Sequence, residues 1–254
     1  MKRLIEFSRD ERGNMALFVL GMLGIMMVLF VFVINLSSVL VTKEKSNTTV
    51  SQASLAASSA FYEEVRNTIT SYSYPQPTPP TQPDDDADDE AFDEYEDKLE
   101  DYYEKLEVYK FFSEFEEIIE DKMSSLTGLS YYNWSNQEKK LQALDLVLEE
   151  ALTNEGLLQE IVEELLVGNN EIHNATIQMA ILTIEKNGGV LDGATLNIED
   201  NRIIIKAANE TTETSYDSFM SGMTEKLYQE SAGPVIDFIS LIWTKNTPVY
   251  LEYE

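Results

Sequence analysis

The longest feature in the hydrophobic pattern is Met15 to Ile34, MALFVLGMLGIMMVLFVFVI, inside a stretch from Asn14 to Thr42 without a charged residue. Twenty apolar residues rise about 30 Å as a helix, the thickness of the bilayer hydrocarbon core, so the pattern predicts a transmembrane helix over 15–41. The apolar region of a signal peptide is shorter, about 7 to 15 residues, and has a small-residue cleavage site after it. This run passes through Asn35, Ser37 and Ser38 with no such exit, and a retained anchor is expected. Beyond it, Val50, Ala53, Leu55, Ala57, Ala60, Phe61, Val65 and Ile69 recur mostly at helical spacing and predict an outward helical extension over 42–71.

Tyr72 to Asp89 then brings five prolines followed by a run of acids, which reads as an extended or disordered spacer. Its acidic, proline-rich character places a linker over 72–96. Leu99, Tyr102, Tyr103, Leu106, Tyr109, Phe112, Phe115, Ile119 and Met123 form a packing stripe on a helix from Asp97 to Met123. Ser135 and Glu138 have the spacing of a capping box ahead of Leu141, Leu144, Leu148 and Leu152. A further apolar helix over Leu157 to Leu166 ends near Gly168. Ala175 to Lys186 fits a strand or a helix, with helix favoured by the Asn187-Gly188-Gly189 ending. Ala194 to Ile198 and Arg202 to Ala207 read as a hairpin, Ser215 to Tyr228 as a helix, and Val249, Leu251 and Tyr253 as a final strand. The class is α+β, mostly helical: a long N-terminal transmembrane helix extended outward, and a distal domain of helices with a small hairpin or sheet over 97–254.

Charge sharpens this picture. With 18 Lys+Arg against 46 Asp+Glu, the net charge of −28 repels phosphate backbones, and no nucleic-acid partner is expected. Clustered carboxylates between Asp84 and Asp121 lack the order of a calcium loop and read as a solvated spacer. Without cysteine and with a single histidine, thiolate and Cys/His zinc sites are excluded. His173 sits among polar residues in GNNEIHNAT and reads as a surface or cap histidine. There is no phosphate loop, dinucleotide fingerprint or internal repeat, so neither a cofactor nor enzymatic activity is expected. Lys2, Arg3, Arg9 and Arg12 precede the apolar run and only Lys43 and Lys45 closely follow it, which predicts a cytoplasmic tail over 1–14 and an extracytoplasmic C-terminal domain.

The stretch from Arg9 to Ser58 resembles the N-terminal segment of the Tad/Flp pilus-assembly family, the TadE/TadG-like proteins. Gly13 matches the Gly that ends the family's charged tail. Asn35 stands where an acid is common, and Lys43 falls at the basic position. Ser46 and Asn47 replace a Leu-Gln pair, Ser51 replaces an Asp, and Ala53 to Ser58 follow the Ala-rich run. Related pilins are cut after a Gly with a Glu five residues on; that place is Phe18 here, so the resemblance implies the uncleaved, TadG-like type. It implies a membrane-anchored, minor-pilin-like component of a type IV-like pilus system, with a role in adhesion. Its partners would be other pilus or pseudopilin subunits, the membrane assembly platform and the lipid bilayer. The positions expected to meet membrane or partner helices are Gly13, Gly21, Gly24, Asn35, Lys43, Ala53, Leu55 and Ala57. Gly21 and Gly24 are three apart and miss the GxxxG spacing. The alternative is a single-pass anchored extracellular binding module unrelated to pili.

Overall fold

Between Gly24 and Pro75 the chain contains neither glycine nor proline, and nothing in that stretch stops a helix once it has started. The computed structural model describes residues 11–84, 88–210, 226–244 and 247–252, with side chains from Met15 onward. Its first element, α1 (Glu11–Ser71), is one unbroken helix of 61 residues, about 92 Å long at 1.5 Å per residue. The hydroxyls of Thr49, Ser58 and Thr68 donate to carbonyls four residues back, so polar side chains on this helix are satisfied without leaving it.

From Tyr72 to Asp84 the chain has no helix or strand, and Tyr74, Pro77, Pro80 and Pro83 are half-buried between exposed residues. A period of three is that of a polyproline II ribbon lying with one face on the protein. The Tyr72 ring sits 4.6 Å from that of Phe112, which fastens the start of this ribbon to the next helix.

That helix, α2 (Asp89–Ser113), begins eight residues ahead of the expected Asp97. Asp88 caps it by accepting the Ala91 N–H, and Asp89 and Glu90 in its first turn favour the positive end of the helix dipole. The acids that looked like a spacer therefore start a helix. The expected single helix to Met123 is interrupted at Glu114, where Ser113 turns its hydroxyl onto the Tyr109 carbonyl, and resumes as α3 (Phe115–Ser125). Helix α4 (Asn136–Thr153) opens with the predicted capping box, Ser135 Oγ accepting the Glu138 N–H and Glu138 accepting the Ser135 N–H. It is followed by α5 (Leu157–Leu166) and α6 (Asn170–Lys186). The ambiguous Ala175 to Lys186 segment is helical, and its helix starts at Asn170, five residues earlier than expected, capped by Asn169.

Strands β1 (Gly189–Glu199) and β2 (Arg202–Glu210) form the predicted hairpin, with Asp200 and Asn201 both at positive φ as a two-residue type I′ turn requires. The next strand, β3 (Lys226–Val235), takes in Tyr228, so the end of the helix expected over Ser215 to Tyr228 is strand; the rest of that expectation lies outside the described residues. A single turn, α7 (Ile239–Ile242), and the short β4 (Val249–Tyr250) complete the order. Tyr253 lies outside the described residues. The sheet is antiparallel in the order β3-β2-β1-β4, and helices α1 and α6 cover one of its faces.

The outer part of α1 is the central helix of this layer. Val50, Ala53, Ala57, Phe61, Val65 and Ile69 are fully buried in the same core as Phe115, Leu148, Ile184, Ile203, Ile205 and Phe238. Phe61 stacks on Phe238 at 5.8 Å between ring centres. The segment expected as an outward extension and the distal elements thus share one hydrophobic core. His173 also differs from its expected place: it is 4% exposed, 4.1 Å from the Trp243 ring. Helix α6 turns Ile172, His173, Thr176 and Ala180 inward together, and the polar flanks that suggested a surface position face out.

Candidate membrane anchor and partner surface

Hydrophobic side chains from Met15 to Leu36 are exposed all round the helix, and the most apolar eighteen-residue stretch is covered by no other described part of the chain. Water does not tolerate so large an apolar surface, whereas the interior of a bilayer does. Among its described residues the chain thus carries one helix long and apolar enough to cross a membrane.

Within the anchor, a Cβ placed on Gly21 or Gly24 would meet, outside its own stretch of helix, no atom of the described residues within 4 Å, so both positions are open to a neighbouring helix. Gly13 lies in the first turns of α1. Asn35 is half-buried and Lys43 exposed near the end of the apolar run. The positions further out divide by helical face. Ala53 and Ala57 lie on the fully buried side, covered by the chain's own core, whereas Leu55 on the opposite side is 55% exposed. Leu55 lines a groove of about 410 Å³ with Leu141, Ile119 and Pro234, beside the cations Arg66 and Lys140. Both cations bind Glu116, Lys140 at 3.3 Å, and hold its carboxyl below the usual range, with the Arg66 hydrogen bond the largest cause. The structure therefore leaves Gly21, Gly24 and Leu55 available to a partner and uses Ala53 and Ala57 itself.

The small residues of the Ala-rich run have a physical role in this arrangement. Ser46 Oγ donates to the Leu227 carbonyl at 2.6 Å, and Gly233 lies directly over Ser54 and Ser58. Strand β3 thus rides up α1 from Ser46 to Ser58, with its backbone close enough that only small side chains fit beneath it. Sequence reasoning missed this contact, although Ser46, Thr49, Ala53, Ser54, Ala57 and Ser58 recur at three- and four-residue steps.

One polar contact inside the domain also lacked a sequence signal. Tyr62 on α1 donates to Asp145 Oδ2 on α4 at 2.8 Å, and both side chains are buried. Burial, then the nearby charges of Asp237 and Glu149, push the Asp145 carboxyl up to about 7 against the opposing Tyr62 hydrogen bond. The Tyr62 hydroxyl is raised too, by burial first and then by Asp145. Among the described residues, no group of three or more acidic, histidine or cysteine side chains is arranged to hold a metal ion.

No curated protein and no solved structure matches the chain. The family comparison falls on the segment just described, the anchor together with the small-residue face of the domain's central helix. Residues 13–60 match the family model described as Putative Flp pilus-assembly TadE/G-like, and over this segment the chain is similar to that family.

Proposed function

We propose that the protein is an outward-facing component of a Tad/Flp-type pilus assembly system that works by helix packing and carries out no chemistry. Its partners are other pilus proteins and the membrane assembly platform. The observation that carries this reading is the coincidence of the family match over 13–60 with a helix whose membrane half is bare on every side. A bare helix with Gly21 and Gly24 open can be approached closely by other anchors, and Leu55 continues the accessible surface beyond the membrane. Because α1 runs unbroken from the bilayer into the domain core, whatever holds the anchor also orients the domain.

Deleting the protein is expected to abolish or shorten surface filaments, scored by electron microscopy and shearing. Normal filaments in the deletion would sink the reading. Complementation with residues 1–41 replaced by an unrelated anchor separates the two classes of function: a pilus role is lost, and a binding-module role survives. The exchange has to stop at 41, because a cut at 70 would remove Val50, Phe61 and Val65 from the core.

Orientation has its own test. The native chain has no cysteine, so Ser130→Cys introduces a unique label site. A membrane-impermeant maleimide should label this variant in intact cells and leave Ser8→Cys unlabelled until the cells are opened; the reverse pattern would invert the proposed topology.

A further inference from the structure

Away from the anchor, helices α2 to α5 enclose a groove of about 300 Å³. Its floor is apolar, formed by Phe111, Ile118, Val147, Ala151 and Leu158. Its rim is acidic: Glu104, Glu107, Glu150 and Glu155 line it, and its one base, Lys122, is already paired with Glu150. The depression continues along α2 past Lys110, Leu106 and Tyr103 to Leu99, where Glu96 and Glu100 prolong the edge, so that along its whole length acids still outnumber the two bases Lys110 and Lys122. Leu99 to Phe111 corresponds to about 18 Å of helix, a little over three turns.

The chemistry of this trough selects its occupant. A segment that covers the floor takes water from the rim carboxylates, which costs free energy unless positive charge replaces it. A neutral or acidic segment cannot provide that charge. The helices of a second copy cannot either, since α1 carries as many acids as bases and each helix from α2 to α6 carries more acids than bases. We propose that the trough binds a basic amphipathic helix of a partner protein, its apolar face on Phe111, Ile118 and Leu158 and its Lys or Arg side chains on the glutamate rim. This is helix-in-groove recognition, read by the partner's i, i+3, i+4, i+7 spacing. The inference does not rest on the pilus reading, and each can fail without the other.

The test uses the full chain in zwitterionic nanodiscs and a labelled 14-residue Leu/Lys peptide with helical apolar spacing, with empty nanodiscs as background. A scrambled peptide of the same composition controls for charge. The amphipathic peptide should bind about 10-fold more tightly than the scrambled one, and the double variant Glu107→Lys/Glu155→Lys should weaken it about 10-fold. Glu171→Lys/Glu230→Lys, with the same charge change outside the trough, should alter it less than about 2-fold. Equal binding of both peptides, equal loss from both double variants, or no binding above empty nanodiscs overturns the proposal. The rim residues are exposed, and the milder Glu107→Gln/Glu155→Gln pair repeats the test without introducing new cations.

Discussion

Asp145→Asn is expected to change the pH dependence of stability more than any other single substitution in the domain. Asp145 is 4% exposed, its Oδ2 accepts from Tyr62, and its Oδ1 makes no hydrogen bond. Its carboxyl titrates near 7 in the folded chain, against an ordinary value of 3.8. Below about pH 4 both states hold the proton, and the stabilisation it brings is fully present. As pH rises toward 7 the unfolded chain gives the proton up and the folded chain keeps it, so that stability falls until the folded group also ionises. A shift of this size corresponds to about 4 kcal/mol across that window. An asparagine keeps an acceptor for Tyr62 and does not ionise, but places N–H donors where none is satisfied, costing about 1 to 3 kcal/mol. The variant is therefore expected to be the less stable protein at pH 4 and the more stable one at pH 8. Denaturation of the full chain in detergent, followed by tryptophan fluorescence at both pH values, checks this, with the background from the other acids cancelling in the difference. Parallel pH profiles for the two proteins would show that Asp145 is not the buried titrating group.

Asp145 also shows where sequence reading stops. It is one of 46 acids, and only the reach of Tyr62 from a helix 83 residues away distinguishes it. Features set by local chemistry were legible: the anchor from its apolar run, the capping box from Ser135 and Glu138, and the hairpin turn from its neighbourhood around Asp200 and Asn201. The Tad-like segment was legible as well, from Gly13, Lys43 and the Ala-rich run. What hydropathy could not show was burial achieved with small polar residues. Ser46, Thr49, Ser54 and Ser58 are buried because a strand lies over them, and a hydrophobicity pattern scores them as solvent-facing. Strand β3 was hidden for a related reason. Its Gln229, Glu230, Gly233 and Pro234 argue against a central strand, but β3 stands at the edge of the sheet, where proline is tolerated. His173 was misplaced because its polar neighbours Glu171 and Asn174 face outward while the histidine itself turns inward with Ile172, against Trp243.

Gly233→Val should separate the domain from its anchor helix more sharply than any substitution within the anchor itself. A Cβ at Gly233 would lie 2.5 Å from Ser58 Oγ and 3.1 Å from the Ser54 carbonyl oxygen, and that carbonyl already accepts the Ser58 hydroxyl at 2.8 Å. Gly233 is not among the glycines at positive φ, so the obstacle is space and not backbone conformation. In an open strand, replacing glycine stabilises by about 0.5 to 1 kcal/mol. Here overpacking should reverse the sign and cost about 1 to 3 kcal/mol for alanine, with valine at the upper end or beyond. Ser58→Ala removes the nearer obstacle and leaves the Ser54 carbonyl, so it should rescue Gly233→Ala in part, with a coupling of about 1 kcal/mol in a double-mutant cycle. A stable Gly233→Ala, or a double variant whose losses simply add, would show that β3 is not seated on α1. The apolar run is untouched by these changes, so fractionation with membranes should be unaltered while resistance of the domain to protease falls. If the domain works because α1 orients it above the bilayer, Gly233→Val should also impair filament formation with the protein still correctly inserted.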